Sequence, residues 1–469
     1  MFGAREQLAI WLMLVSAFTV ILNETVMSVA LPRLMKDLDI TAAQGQWLTT
    51  AFLLTMSVVI PITGMLIQRY STRGLFINAM GLFSLGTIIA VLAPSFSVLL
   101  IARVVQASGT AIMMPLLMTT VATLVPAEQR GQLMGRIAIV ISVAPALGPT
   151  ISGLILQWFS WHFIFLFVLP IALAALLLGV LRMPNVGVRR VVRIDVLSVL
   201  LSIVAFGGIV YGLSGSGGQA QDPLFATVPF FLGVLALAAF VWRQLVLQRE
   251  DRALLDLRTF RVRPFALSVI LFAFSSIALF GSLILLPIYV QDVLGYATLG
   301  SGLVLLPGGL LMGLLGPVVG RLVDARGARF MLVPGTVLTA LALWSMTLLT
   351  DTSTIWQVLG SHVLLSLGLA GVFTPLFAVS LGSLTPELAS HGSAIISTVQ
   401  QVAGAAGTAL FVSIMTLVSF SVAGSSETLD AFALAEGTRV AFMVGGAAAT
   451  LGAIVALFVT EPRSPARQV

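Results

Sequence analysis

Two ionisable side chains stand inside stretches that are otherwise apolar. Glu24 lies in the run from Leu8 to Leu31, directly after Asn23 and ahead of Thr25 and Ser28. Arg103 lies in the run 98–122, with Gln106 and Thr110 following it at helical spacing. A carboxyl in hydrocarbon costs roughly 3 kcal/mol or more, so an acid there normally faces a protein interior or a watery cavity. Measured along a helix from the outer end of its span, each side chain sits about 8–10 Å deep, so the two can share one layer. Loss of water and attraction to a guanidinium act on such a carboxyl in opposite directions, which makes its proton exchange tunable. The alternatives are a static ion pair that fixes two spans together, or a Glu24 placed among the outer headgroups. Buried pairs stabilise poorly compared with apolar packing, which favours the functional reading.

Other polar residues extend these sites. Ser16, Thr19 and Asn23 form one helical stripe, and Arg103, Gln106 and Thr110 form another. Such stripes hydrogen-bond neighbouring helices as readily as they line water. His362, about 10 Å into a later apolar run, suits either a packed, hydrogen-bonded histidine or a proton ligand. Gln400 and Gln401 are adjacent, so only one of them can face a cavity centrally. His162, His362 and His391 are too dispersed to suggest a metal site, and the chain has no cysteine. No phosphate loop and no compact set of acid, base and nucleophile is present, which argues against a membrane enzyme and for an ion gradient, with no cofactor, as the energy source.

The elements that position these residues follow from composition. Hydrophobic residues make up 58% and charged residues 9%, with a mean hydropathy of +1.09. Soluble proteins carry about 25% charged residues. The apolar runs approach the ~20 residues of a membrane-spanning helix rather than the ~10 of a barrel strand. Fourteen spans are expected, near 8–31, 47–67, 75–93, 98–122, 134–156, 162–181, 196–213, 226–247, 264–288, 300–322, 330–349, 355–380, 392–418 and 438–459. The first run has no small-residue cleavage pattern, so it is read as a span and not a signal peptide. With the N-terminus inside, 20 of the 24 basic residues fall on the inner side, Arg33, Lys36 and Arg439 outside, and Arg103 within a span. Both termini are then expected in the cytoplasm of a bacterial cell. The net charge of +6 therefore reflects orientation and attraction to membrane lipids, not a nucleic-acid partner.

The chain also repeats itself. Gly64, Gln68, Arg69 and Arg73 after the second span answer to Gly320, Asp324, Arg326 and Arg329 after the tenth, where Gly320 lies 256 residues beyond Gly64. Pro126 and Glu128 before the fifth span answer to Pro386 and Glu387 before the thirteenth, the prolines 260 residues apart. Two six-span bundles, 1–181 and 264–469, are expected to flank a two-span insert, 182–263. An even number of spans keeps the halves parallel, with a substrate path between them. The insert, flanked by arginines and poor in internal polar residues, reads as peripheral packing, with Ser214–Gly218 as an outer turn. The polar stretch Ser419–Gly437 reads as a loop.

Together these motifs resemble the fourteen-span drug:proton antiporter branch of the major facilitator superfamily over nearly the whole chain. Leu22 to Pro32 resembles that branch's first-helix motif, with Asn23 where aspartate is usual and Glu24 beside it, as in lincomycin-type exporters. Gln46, Trp47, Pro61 and Gly64 continue the match, as do Arg103, Gln106 and Gly109. Pro145, Gly148, Pro149 and Gly153 resemble the antiporter motif of exporters, whose glycine and proline favour a bend or a tight helix contact. The first loop motif departs from the family at Gln68 and Ser71, where aspartate and glycine are usual. Arg69 and Arg73 remain able to contact helix C-terminal carbonyls or lipid phosphates.

The resemblance implies an all-α membrane protein of the major facilitator fold, an antiporter in the cell membrane that exchanges protons for amphipathic drugs or related lipophilic compounds. It assigns proton coupling to Glu24 and Arg103, and the alternation of access to the glycine and loop motifs. A lipid flippase on the same fold is the main alternative, ahead of a polytopic enzyme.

Overall fold

The computed structural model describes residues 4–40, 42–125, 127–185, 195–216, 224–250, 252–296, 298–423 and 430–459. Backbone polar groups have no water to bond in hydrocarbon, so spanning segments must satisfy them internally. Accordingly, the apolar runs are helices: α1 (Ala4–Thr25), α2 (Met27–Asp37), α3 (Ala42–Arg69), α4 (Thr72–Val91), α5 (Phe96–Leu124), α6 (Ala127–Trp158) and α7 (His162–Arg182). The insert contributes α8 (Val196–Ser202), a π-helical turn at Ile203–Gly207, α9 (Gly208–Ser216) and α10 (Leu224–Leu247). The chain continues through α11 (Arg263–Ile288), α12 (Thr298–Arg326), α13 (Arg329–Met346), α14 (Ile355–Gly382), α15 (Pro386–Ala423) and α16 (Ala431–Ala456). Thirteen stretches among the described residues are long and apolar enough to cross a membrane, and α6 contains the remaining expected span, 134–156.

Three expectations are corrected. The first helical path does not stop at Leu31: it passes Val26, whose backbone stays helical (φ −64, ψ −23) and whose N–H donates to the Leu22 carbonyl at 3.2 Å, and continues as α2 to Asp37, carrying Arg33 and Lys36. The stretch 419–437 is not a loop throughout, because α15 runs to Ala423 and α16 begins at Ala431, where Asp430 caps the helix by accepting the Ala433 N–H at 2.8 Å. Within α16, Glu436 pairs with Arg439 one turn on, at 3.2 Å, which lets charged residues occupy a helix there. In the insert, residues 214–216 belong to α9 and not to the expected outer turn. Residues 217–223 lie outside the described residues, as do Arg189, Arg190 and Arg193.

By backbone proximity the chain divides into two units, one of Met1–Leu124, Val143–Leu257 and Ser393–Val402, the other of Val125–Ser142, Arg258–Gly392 and Ala403–Val469. In the first, α5 packs on α1, α3 and α4, while α7 packs on α1 and α4. The insert lies on α3, where Trp47 meets Tyr211 with ring centroids 5.7 Å apart. In the second, α14 packs on α11, α12 and α13, and α16 on α11 and α13.

Glycine sets the close contacts. A Cβ on Gly109 of α5 would run into the backbone of Ala79 and Phe83 in α4, and one on Gly86 would lie 2.6 Å from the Gln106 nitrogen. Without side chains at these points the helices approach closely, as small residues allow in membranes. The second unit repeats the device, with Gly368 of α14 against Gly335 and Thr339 of α13.

The insert is more polar inside than its sequence suggests. Asp195 caps α8 by accepting the Ser198 N–H at 3.0 Å and takes two bonds from Arg243 of α10, at 2.6 and 2.7 Å. The fully buried Gln244 donates to the Ser198 hydroxyl at 2.8 Å, and its carbonyl accepts the N–H groups of Leu254 and Leu255. Arg243 and the Ser198 donors hold the Asp195 carboxyl well below the usual carboxylate range.

Candidate functional site

The first unit brings the sequence-predicted polar residues of α1 and α5 into a buried set. Arg103 is fully enclosed. Its Nη1 donates to the Gln106 Oε1 at 3.1 Å and its Nε to the Leu48 carbonyl of α3 at 3.4 Å. The guanidinium carbon lies 4.1 Å from the centre of the Phe52 ring, a cation–π arrangement. Gln106 passes the network on: its Nε2 donates to the Thr87 hydroxyl of α4 at 3.0 Å, and that hydroxyl donates to the Phe83 carbonyl at 2.7 Å. Thr110 donates to the Gln106 carbonyl at 3.0 Å, so its hydroxyl is spent on its own helix. Thr87 and Phe52 were not singled out from sequence, because nothing in one helix announces its partner in another.

Glu24 is half-buried at the end of α1. The positive charge of Arg103 acts on it through space, yet no ion pair joins the two, and the Nη2 of Arg103 has no hydrogen-bond partner. The static ion pair weighed as an alternative is therefore not formed. Arg103 is instead anchored from the side by Gln106, Leu48 and Phe52.

The α1 stripe is buried as well. Thr19 donates to the Val15 carbonyl at 2.8 Å, but the Ser16 hydroxyl and both amide atoms of Asn23 are enclosed without a partner. Unpaired buried polar groups cost about 1–3 kcal/mol each and mark places where water or a ligand is received.

Behind this stripe stands the glycine of the exporter-like motif. Gly148 of α6 is buried against α1: a Cβ there would collide with the Thr25 side chain and lie 3.4 Å from the Leu22 carbonyl. Of the two mechanical options, a bend or a tight helix contact, the contact is present, and α6 continues unbroken to Trp158. Pro145 and Gly153 are half-buried on the same helix, and the side chain of Pro149 lies outside the described residues.

The loop motifs sit apart from this site. Arg73 donates through Nη2 to the carbonyl of Val180, in the last turn of α7, the helix C-terminal contact expected of it. Arg69 lies over Tyr70 and Arg326 over Phe330, at 5.9 and 5.0 Å. Gly64 and Gly320 are buried, while Asp324 and Arg329 are exposed. In the second unit His362 is buried, with Nδ1 unpartnered. Gln400 and Gln401 are both half-buried, so neither is set apart by burial. Among the described residues no group of three or more His, Asp or Glu is arranged to hold a metal ion.

Comparison with known proteins agrees with this architecture. The model of the Major Facilitator Superfamily matches residues 13–408. The MFS-type transporter YcnB of Bacillus subtilis (strain 168) is 38% identical over 464 residues, which cover 99% of this chain and 97% of the relative. The lincomycin resistance protein LmrB of the same organism is 40% identical over 462 residues, covering 95% and 94%. Among solved structures, the human organic anion transporter MFSD10 (TETRAN) superposes with a TM-score of 0.70 at 15% identity, over 97% of this chain and 100% of that one, a likeness of fold alone. A family model spanning most of the chain, near-full-length relatives and a polytopic helical fold lead to one assignment: the chain is a multi-pass membrane protein of the major facilitator superfamily, a family of transporters and not of enzymes.

Proposed function

We propose that this protein is a drug exporter of the cell membrane, driven by proton antiport, that alternates access between its two six-helix bundles. The observation that carries the coupling is the half-buried Glu24 carboxyl held in the field of an enclosed Arg103 that does not pair with it. Arg103, fixed by Gln106 and Phe52, supplies a constant positive charge while Glu24 changes state. Gly148 against Leu22 and Thr25 lets α6 move directly on the end of α1 that bears the carboxyl. That couples protonation to a helix contact. The unpaired Ser16 and Asn23 offer hydrogen bonds to substrate along the same stripe. Relatives named for lincomycin resistance support amphipathic antibiotics as the cargo class.

The domain limits 1–181, 182–263 and 264–469, and cytoplasmic termini, belong to the same reading. A substrate panel in everted vesicles, with a proton gradient imposed and then collapsed, tests it. Glu24→Gln should insert normally, bind substrate and fail to accumulate it. Uphill transport by purified Glu24→Gln protein with wild-type dependence on the gradient would remove Glu24 as the carrier. Movement of labelled lipid without proton flux would favour the flippase.

A further inference from the structure

The glycine contacts align the two repeats residue by residue. Gly109 on Ala79 and Phe83 answers to Gly368 on Gly335 and Thr339, which pairs α4 with α13 at an offset of 256 and α5 with α14 at 259. The second offset makes His362 the counterpart of Arg103. The loop motif pairs α3 with α12 at 256, from Gly64 to Gly320, and this makes Gly308 the counterpart of Phe52. The contact itself recurs. Arg103 lies over Phe52, and the His362 ring lies on Gly308, where an added Cβ would collide with Nδ1 and come within 2.6 Å of Cε1.

This packing decides which ring nitrogen carries the proton. Nδ1 is enclosed against Gly308 and has no partner. The nearby Ser366 hydroxyl donates to the His362 backbone carbonyl at 2.9 Å. An N–H at Nδ1 would have no acceptor in this packing, at the full cost of an unmade bond. A lone pair there tolerates the α-hydrogens of glycine. The proton therefore belongs on Nε2, which is not enclosed in this way and which no group among the described residues bonds. No charged side chain acts on the ring from α11, α12 or α13.

We propose that His362 is a neutral hydrogen-bond donor to the transported molecule, its Nε2–H binding one uncharged oxygen acceptor, a carbonyl, hydroxyl or ether, on an otherwise lipophilic compound. The counterpart residue Arg103 also holds an N–H without a protein acceptor, at Nη2, so each repeat offers a donor at the same position. In the first the donor is charged and stands near a carboxyl; in the second it is neutral and alone. This assignment rests on the drug-export reading and names what the second unit contributes to it.

The test uses two probes in everted vesicles: lincomycin, rich in hydroxyl and amide oxygens, and tetraphenylphosphonium, which has no hydrogen-bonding atom. His362→Phe keeps a ring and removes the donor; His362→Gln keeps an N–H. The expected result is a rise of about tenfold in KM for lincomycin in His362→Phe, the loss of one hydrogen bond, with a smaller rise in His362→Gln. Tetraphenylphosphonium transport and the dependence on the proton gradient should be unchanged in both. An unchanged lincomycin KM, an equal loss for both probes, or uncoupling from the gradient would each overturn the proposal. Failure of the wild type to move either probe would instead remove the export reading beneath it. Histidine-selective 15N spectra of the wild-type protein, assigned by difference from His362→Gln, give a check independent of transport. A bare Nδ1 with a protonated Nε2 is expected, and a proton on Nδ1 would overturn the assignment.

Discussion

The first unit carries a buried guanidinium, an amide and a nearby carboxyl where the second carries a histidine, a leucine and, beside Ile277, only hydroxyl and apolar side chains. Arg103 answers to His362, and Gln106, at the same offset, to Leu365. The end of α1, with Asn23 and Glu24, has a counterpart in the middle of α11 near Ile277, which follows the buried Ser275 and Ser276 and precedes Ala278, Leu279 and Phe280, so that hydroxyls but no ionisable group stand there. Yet helix packing is conserved between them. Gly148 lies on α1 in the first unit and Gly407 on the backbone of Ile277 in α11 in the second, 259 residues apart. The repeats thus share their mechanical contacts and differ in their chemistry. A small residue that lets two helices touch is independent of what the touching helices carry.

The loop motifs differ in the same spirit. Gly327 follows α12 in the left-handed region at φ +89 and donates its N–H to the Val323 carbonyl at 2.9 Å, a helix C-terminal turn that glycine enters without strain. At the corresponding position in the first repeat, Ser71 is extended, with φ −69 and ψ 146, and caps α4 by accepting the Gly74 N–H at 3.1 Å. Both repeats end one helix and begin the next within this loop, but glycine closes α12 in the second where serine opens α4 in the first. The departure of Ser71 from the family pattern therefore has a structural reason.

The largest effect is expected at the shared glycines. Gly148→Leu should abolish most transport at near-normal expression, because its side chain enters the contact beside Glu24. Gly407→Leu has no acid beside it, so its loss of transport should track its loss of folded protein. Turnover and monodisperse yield measured together decide, and parallel behaviour of the two variants would break the distinction between the units.

Next is Gln106→Leu, which gives the first unit the leucine of the second. It leaves Arg103 Nη1 and the Thr87 hydroxyl without their partner, at a cost of about 1–3 kcal/mol, read as a lower Tm in detergent. Smaller again, Gly327→Ala should cost about 1–2 kcal/mol for a side chain in the left-handed region, and Ser71→Ala about 1 kcal/mol for a lost cap. Equal tolerance of alanine at both sites would mean that the two loops are not held as described.

The smallest effect concerns Asp195→Asn, which weakens the clamp between α8 and α10. Its carboxyl is depressed by Arg243, so the wild-type contribution is complete above the ordinary carboxylate value near 4 and is lost only as pH falls toward the depressed one. The Tm difference between wild type and variant should therefore be constant from about pH 5 to 8 and narrow only in stronger acid. A difference that disappears already at pH 6 would assign the clamp to another group.

Much of the fold was legible because hydrocarbon admits few alternatives. Runs of apolar residues had to be helices. The continuation of the first helical path past Leu31 was not legible, because Arg33, Lys36 and Asp37 read in a sequence as the end of an apolar run. The helical ends of 419–437 were hidden by their charges, since the pairing of Glu436 with Arg439 along α16 reads in a sequence as loop polarity. At the site, Arg103 with Gln106 and Ser16 with Asn23 followed from helical spacing. Thr87, Phe52 and the meeting of Gly148 with Thr25 did not, because contacts between helices depend on register. The kinship of Arg103 and His362 emerged only when glycine contacts fixed that register to the residue.

The clamp in the insert bears on the chain as a polymer. Some eighty residues separate the end of α7 at Arg182 from the start of α11 at Arg263, and left unstructured a connector of that length would carry the closure entropy of a long loop. Gln244 holds the N–H groups of Leu254 and Leu255, Asp256 is buried, and the backbone passes to the second unit after Leu257. The segment up to Arg263, where α11 begins, is itself held: Leu257–Arg261 is a 3-10 turn and Thr259 is fully buried. Shortening the insert upstream of Gln244 would therefore leave the length of this linking segment unchanged.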